Sequence, residues 1–357
     1  MTPQPPLATR RARVWRALSY LAGAAALAAS ALAVGTCARP DAAPRTGADS
    51  ARPAGASARV EGGAQQLVVF NAGSLARPLR AVLDSFAARE GVTVAQENAG
   101  SLETARKLTE LGNVPDIIAL ADDEVFPQLL MPAHVSWYVR FARNRMVLAH
   151  TSRSRFAAEI TPSNWHEVIR RPGVEVGRSD PNLDPAGYRA LLVMQLAERH
   201  YRTPGLAAAL LRAAPSRNVR QKSADLVALL QAGELDYAWE YQSVAQAANL
   251  GWVRLPHEID LGTPADSALY ARASVRVTGK TPRDSVTFAG MPIVYGFSIP
   301  RRAPHPELAG RFAAFLMSDG KAILRQAQLP ALERPILVGS GAPAPLAELA
   351  APPARPH

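Results

Sequence analysis

A single cysteine, Cys37, stands among 357 residues, which excludes an internal disulfide framework and any zinc site built on several thiolates. Aromatic residues make up only 6% of the chain, and no Lys/Arg run has aromatics interleaved with it, so the footprint of a nucleic-acid binder is missing. GxSxG, HExxH, GxxxxGK[ST] and GxGxxG are all absent, and the 7 histidines are scattered with no pair at helical ligand spacing. Nucleophile elbows, zincin centres, phosphate loops and dinucleotide folds therefore find no support.

What is present begins with a leader-like segment. Arg10, Arg11, Arg13 and Arg16 precede the Ala-rich apolar run "ALSYLAGAAALAASALAVGTC", the layout of an export signal rather than a membrane-spanning helix. Its end, "VGTC", resembles a lipobox, with Thr36 in place of the usual Gly or Ala, so Cys37 is expected to be a lipid anchor. Removing the four signal arginines from the +10 total leaves 36 basic against 30 acidic side chains, a mild surplus that suits an anionic ligand or a membrane surface. Residues 38–66 are dominated by Ala, Pro, Gly, Ser and Arg and are expected to be a flexible tether. Residues 336–357 are similarly loop-like and are expected to be a disordered tail.

Between these ends strands and helices alternate. "QLVVF", "GVTVAQE" and "PDIIALA" read as strands, "SLARPLRAVLDSFAARE" and "SLETARKLTELG" as the helices between them. Leu75, Leu79, Val82, Leu83 and Phe86 fall on one face of the first helix. This βαβαβ run predicts a parallel α/β sheet. "NRMVLAH" leads towards a second lobe, and "MPIVYGFSIP" with the amphipathic stretch after it suggests a return to the first.

Four side chains stand out. The tetrapeptide AGSL occurs twice, putting Ser74 and Ser101 at the starts of two neighbouring helices. An N-cap with a preceding tight-turning glycine accounts for either copy alone. Two copies side by side at the carboxyl edge of a parallel sheet would instead aim N–H groups and hydroxyls at one spot, which suits an oxyanion. Asp184 precedes Pro185 and has the place of an N-cap. Glu240 ends the apolar strand "LDYAWE" and is either an edge-strand carboxylate or a site residue. Paired for glycoside hydrolysis, Asp184 and Glu240 would be two acids distant in sequence, with no sugar-stacking platform in view.

The segments "FNAGSLARPL", "PDIIALAD", "DPNLDPAGYRALLVMQLAE", "AGELDYAWEYQSVA" and "GMPIVYGFSIP", in this order, resemble the tungstate/molybdate-binding proteins of ABC importers, of the type known from archaea. The resemblance covers roughly residues 67–335. It implies a two-lobed periplasmic-binding-protein fold of type II with the ligand in the inter-lobe cleft. It implies lobe 1 over 67–146 and 293–335, and lobe 2 over 147–292. Ser74 and Ser101 match oxyanion-binding serines, and Asp184 and Glu240 match carboxylates that coordinate the metal of the oxyanion. No cofactor is implied. The expected protein is monomeric, exported and membrane-anchored, and delivers tungstate or molybdate to ABC permease subunits. A binding protein for sulfate or phosphate, a secreted hydrolase using Asp184 and Glu240, and a scaffold lipoprotein remain alternatives. Set against that resemblance, the stretch between Glu198 and Ser223 is expected to be shorter than in archaeal relatives.

Overall fold

The computed structural model describes residues 65–281 and 283–352. The expected export signal with Cys37, nearly all of the tether, and residues 353–357 lie outside the described residues. The chain begins with β1 (Gln66–Ala72), a short turn over Gly73–Leu75 and helix α1 (Ala76–Glu90), followed by β2 (Thr93–Ala99), α2 (Ser101–Thr109), β3 (Ile117–Leu120) and β4 (Trp137–Arg143). It crosses through Asn144 and Arg145 to β5 (Met146–His150) of a second sheet. There follow α3 (Trp165–Val168), β6 (Val176–Ser179), α4 (Pro185–His200), α5 (Leu206–Ala213), β7 (Val219–Arg220), α6 (Ala224–Ala232), β8 (Tyr237–Tyr241), α7 (Gln242–Ala247), β9 (Gly251–Arg254) and α8 (Ser267–Tyr270). A hairpin of β10 (Ser274–Thr278) and β11 (Ser285–Ala289) precedes the return to the first sheet. The chain ends with β12 (Val294–Ser298), α9 (Pro306–Met317), α10 (Gly320–Gln326), β13 (Ala331–Gly339) and α11 (Ala344–Leu349).

The first sheet has the order β13-β4-β12-β3-β1-β2 and the second β7-β6-β8-β5-β9. β1 is parallel to both β2 and β3, as the βαβαβ pattern predicts. β12 returns antiparallel between β3 and β4, so the sheet is mixed. All four residues of β3 are buried, and this is why "IIAL" is apolar without alternation: both faces of a central strand are covered. The anticipated face of α1 is buried through Leu79, Val82, Leu83 and Phe86, with Phe86 edge-on to Phe312 at 5.2 Å. The helix stops at Gly91, whose φ of 66° lies in the left-handed region.

The C-terminal segment differs from its reading as a disordered tail. Ile336, Leu337 and Val338 pair with Arg140, Val139 and Tyr138 of β4, and α11 buries Leu346 completely. The Pro- and Gly-rich composition hides one short apolar run, and the exposed edge of β4 supplies the backbone partners that make it a strand. Proline stands at the start of α11, where its missing N–H costs nothing.

The two crossing segments lie side by side, Asn144 N donating to Ile293 O at 3.2 Å. The hairpin rests on α4, with Phe288 stacked on Tyr188 at 4.9 Å.

Candidate functional site

Two sets of parallel strands point their carboxyl ends at the cleft. β3, β1 and β2 deliver Ala121–Asp122, Ser74 and Ser101 from one side. From the other, the chain after β6 carries Ser179 on to Asp184, the chain after β7 carries Lys222 and Ser223, and β8 carries Glu240. The turns that follow parallel strands gather at one edge, so residues far apart in sequence meet there.

The structure revises the capping reading of the serines. Neither Ser74 nor Ser101 caps its helix. Ser101 is fully buried and its Oγ accepts from Ala121 N at 2.9 Å, which leaves its own hydrogen free to donate. Ser74 Oγ accepts from the Tyr295 hydroxyl at 3.1 Å. Tyr295 in turn accepts from Asn144 Nδ2 at 3.0 Å, and the same nitrogen donates to Ser243 Oγ at 2.7 Å. This chain runs from the first lobe, through the crossing segment, into the second.

The helix N-termini also differ from expectation. Leu102 N and Glu103 N, the second and third donors of α2, are taken by the carbonyl of Leu183 across the cleft at 3.1 and 3.3 Å. The start of α2 is thus devoted largely to holding the lobes together.

Asp184 is the N-cap that its sequence position suggests, accepting from Ala186 N at 3.2 Å through Oδ1. Its second oxygen accepts from Ser223 N at 2.6 Å, which a capping role alone does not require. Glu240 lies on β8, in the middle of the second sheet and not at its edge. It is 0% exposed; Oε2 accepts from Tyr241 N at 2.8 Å, and Oε1 has no hydrogen-bonding partner. The hydroxyls of Ser179 and Ser223 are buried and lack partners as well, although both lie close enough to the acids to favour their anions.

The acids share one environment. Burial pushes the Glu240 carboxyl up to about 8; the Tyr241 N–H opposes this, the charge of Asp184 adds to it, and the Ser223 hydroxyl opposes it. Asp184 is raised by burial against the N–H groups of Ser223 and Ala186, the Ser179 hydroxyl and the charge of Arg189. Among the described residues neither acid forms an ion pair. Arg189, whose charge favours the Asp184 anion, is committed elsewhere: Nη2 meets Asp122 Oδ2 at 3.1 Å, while Nη1 donates to Ala121 O at 2.7 Å and to the Tyr241 hydroxyl at 2.8 Å. Burial works to lower its pKa, and the Asp122 carboxylate, with Tyr241 and Tyr188, outweighs that and raises it. Tyr188 donates its hydroxyl hydrogen to the same Asp122 carboxylate.

The four residues singled out in the sequence thus lie at one cleft: Ser74 and Ser101 on the first-sheet side, Asp184 and Glu240 on the other. Asp122, Arg189 and Tyr295 lie within the quoted segments "PDIIALAD", "DPNLDPAGYRALLVMQLAE" and "GMPIVYGFSIP", and Asn144 opens "NRMVLAH", yet nothing in the sequence singled out these residues or Ser179 for the site. Ser223 stands at the N-cap position of α6, but its side chain makes no capping bond. Chemically, the cleft offers hydroxyl donors and two neighbouring carboxylates with a free oxygen between them. Among the described residues no histidine contacts any of the four, so a nucleophile with an imidazole base is not assembled. Nor does any group of three or more His, Cys, Asp or Glu there have the arrangement of a metal-cation site.

The comparisons with known proteins agree with this architecture. Residues 67–327 match the family described as bacterial extracellular solute-binding protein. A solute-binding protein of Petrotoga mobilis is 42% identical over 272 residues, 76% of this chain and 85% of that one. The molybdate/tungstate-binding protein WtpA of Pyrococcus abyssi is 36% identical over 305 residues, 77% of this chain and 87% of the relative. Among solved structures, the periplasmic molybdate-binding protein of Azotobacter vinelandii superposes with a TM-score of 0.53 at 14% identity, covering 74% of this chain and 98% of that one, a likeness of fold. This chain belongs to the bacterial extracellular solute-binding protein family and has its two-lobed, type II periplasmic-binding fold.

Proposed function

We propose that the chain captures tungstate or molybdate in the cleft between its lobes and delivers it to the permease of an ABC importer. The observation that carries this reading is the acid pair, Asp184 and Glu240, buried side by side without a cation and with Glu240 Oε1 unpartnered. Once ionised, such a pair opposes an ordinary anion. Like charges ~4 Å apart repel by about 1 kcal/mol in water and about 4 kcal/mol at an effective dielectric of 20. The conflict is removed when carboxylate oxygen donates directly to the centre of the anion, since W(VI) and Mo(VI) are hard centres suited to oxygen ligands. Four oxo groups and one oxygen from each acid then complete six-coordination. Sulfur and phosphorus do not expand in this way, so the same acids that hold the rare oxyanions repel the abundant ones.

Ser74 and Ser101 serve the oxo groups from the first lobe, joined by the Ser179 and Ser223 hydroxyls from the second. The relatives named for molybdate and tungstate binding support the choice of ligand. In this reading 67–146 with 293–335 form one lobe and 147–292 the other. The protein is a monomer that binds and does not turn over its ligand. Cys37 is the acylated residue of an export signal, with 38–66 as its tether. Among the described residues no helix is long and apolar enough to cross a membrane. Loss of radiolabelled fatty-acid incorporation in Cys37→Ala tests the anchor.

Calorimetric titration with tungstate, molybdate, sulfate and phosphate in one buffer tests the function. One-to-one binding of the first two alone is expected. Binding of sulfate or phosphate in preference would keep the fold and overturn the role of the acids. A glycosidase or phosphatase assay with turnover would replace the binding reading altogether.

A further inference from the structure

Arg106 lies on α2, on the first-lobe side of the cleft, five residues beyond Ser101. Its side chain is 14% exposed, yet among the described residues its only carboxylate neighbour within ion-pair range is Glu110, at 3.8 Å. Its strong contacts are three backbone carbonyls: Nη1 donates to Asn182 O at 2.8 Å, Nη2 to Thr278 O at 2.7 Å and Nε to Gly279 O at 3.1 Å. All three belong to chain on the far side of the cleft, Asn182 in the loop before α4 and the other two at the end of β10. The receptor is fixed in its own right, because Asn182 Oδ1 accepts from both Thr278 N and Thr278 Oγ1, at 3.0 and 3.1 Å. Burial lowers the pKa of the guanidinium against the charges of Glu110, Asp180 and Glu103, so desolvating it is a real cost that the three carbonyls offset.

We propose that Arg106 is a closure clasp: a positioning residue that never touches the ligand and sets how long the closed lobes retain it. The inference rests on the reading of the cleft as an oxyanion site. The planar guanidinium presents its donors in a fixed fork, and the three carbonyls converge on that fork only while the loop before α4 and the hairpin lie against α2. When the lobes separate, donors and acceptors return to water. The clasp therefore stabilises the closed state alone, and observed affinity depends on the fraction of protein in that state. The same segment joins the clasp to the ligand: Asn182 binds Arg106, Leu183 binds the start of α2, and Asp184 is a site acid. An open protein meets its ligand without these contacts, so the association rate does not sense them.

The test is stopped-flow binding of tungstate to the full-length chain, comparing wild type with Arg106→Gln and Arg106→Lys, with melting temperature of the ligand-free proteins as the check on folding. Arg106→Gln is expected to raise the dissociation rate about 10- to 100-fold, the range for losing hydrogen bonds from a charged group, with the association rate within about twofold of wild type and melting unchanged. Lysine keeps the charge without the fork and is expected to fall nearer glutamine than arginine. Unchanged dissociation in Arg106→Gln overturns the clasp. So does a fall confined to the association rate, which would make Arg106 a steering charge, or wild-type dissociation in Arg106→Lys. Should wild type bind neither tungstate nor molybdate, the oxyanion reading fails by itself. The clasp is then judged by small-angle scattering, where Arg106→Gln must be more open than wild type and equal profiles overturn it.

Discussion

Gly100 sits beneath the carbonyl of Leu183, so close that a Cβ on the glycine would lie 2.1 Å from that oxygen. Gly100 has φ −65° and ψ 150°, a conformation open to any residue. Its glycine is needed for the approach of the opposite lobe and not for a turn. Gly100→Ala is therefore expected to leave the separate lobes intact and obstruct their closure. The strain of overpacking, about 1–3 kcal/mol, corresponds to roughly a 5- to 150-fold loss of oxyanion affinity. Titration calorimetry with tungstate, beside a thermal melt of the ligand-free protein, measures both. Wild-type affinity in this variant would show that the ligand is held with the lobes further apart.

The acid pair gives a second expectation. Asp184→Ala and Glu240→Gln should each abolish discrimination for tungstate over sulfate, since the first removes an oxygen donor to the metal centre and the second replaces an anionic carboxylate donor with a neutral amide. The two variants differ in stability. Asp184 accepts from Ala186 N and Ser223 N, so its removal leaves two buried donors unpaired, at about 1–3 kcal/mol each. Glu240→Gln keeps the volume and replaces a carboxyl that burial holds protonated up to about pH 8, and should melt no lower than wild type. Competition binding and calorimetric melting separate these effects.

The pH dependence of the ligand-free protein follows from Glu240. Its pKa is pushed up to about 8 from an ordinary 4.5. Between these values the folded chain holds a proton that the unfolded chain has released. Unfolding free energy thus falls as pH rises through the window, by at most about 1.4 kcal/mol per pH unit. Below the unfolded value the penalty vanishes. Asp184 is raised too and acts in the same sense. The melting temperature is expected to fall from pH 5.5 to 8 in wild type and to fall less in Glu240→Gln; equal slopes would remove Glu240 as the cause.

Arg189 and Asp122 face each other from opposite sides of the cleft at 3.1 Å, both nearly excluded from solvent. Truncating one member leaves the other charge buried and unpaired in the closed state, a loss of about 3–5 kcal/mol, while the open state hydrates both. Asp122→Asn and Arg189→Gln should each weaken oxyanion affinity by more than 100-fold, and the double variant should be little worse than either. A double-mutant cycle on affinity reads this directly; additive losses would mean that the two residues act separately.

Much of the architecture was legible because it depends on local pattern. The face of α1, the all-apolar run of β3 and the Pro185 start of α4 are set by periodicity and by backbone preferences of single residues. The mixed direction of the first sheet was not legible, since the orientation of β12 depends on where a distant segment inserts. Ile336–Val338 was missed because three apolar residues in a Pro/Gly-rich stretch become a strand only beside the edge of β4.

The amino-acid sequence by itself determined the alternation of strands and helices, the absence of thiolate and nucleophile motifs, and the presence of Ser74, Ser101, Asp184 and Glu240 at strand-to-helix junctions. Tertiary structure alone decided what those residues do. It turned the serine hydroxyls from caps into partners of Ala121 N and Tyr295. It committed Arg189 to Asp122, and it left Glu240 Oε1 buried beside Asp184 with nothing to bind. The physical reason is that burial and charge pairing are properties of neighbours in space. Here Ser101 meets Ala121 and Ser74 meets Tyr295 through strands of the first sheet, Glu240 meets Asp184 on the side of the second, and Arg189 meets Asp122 across the cleft.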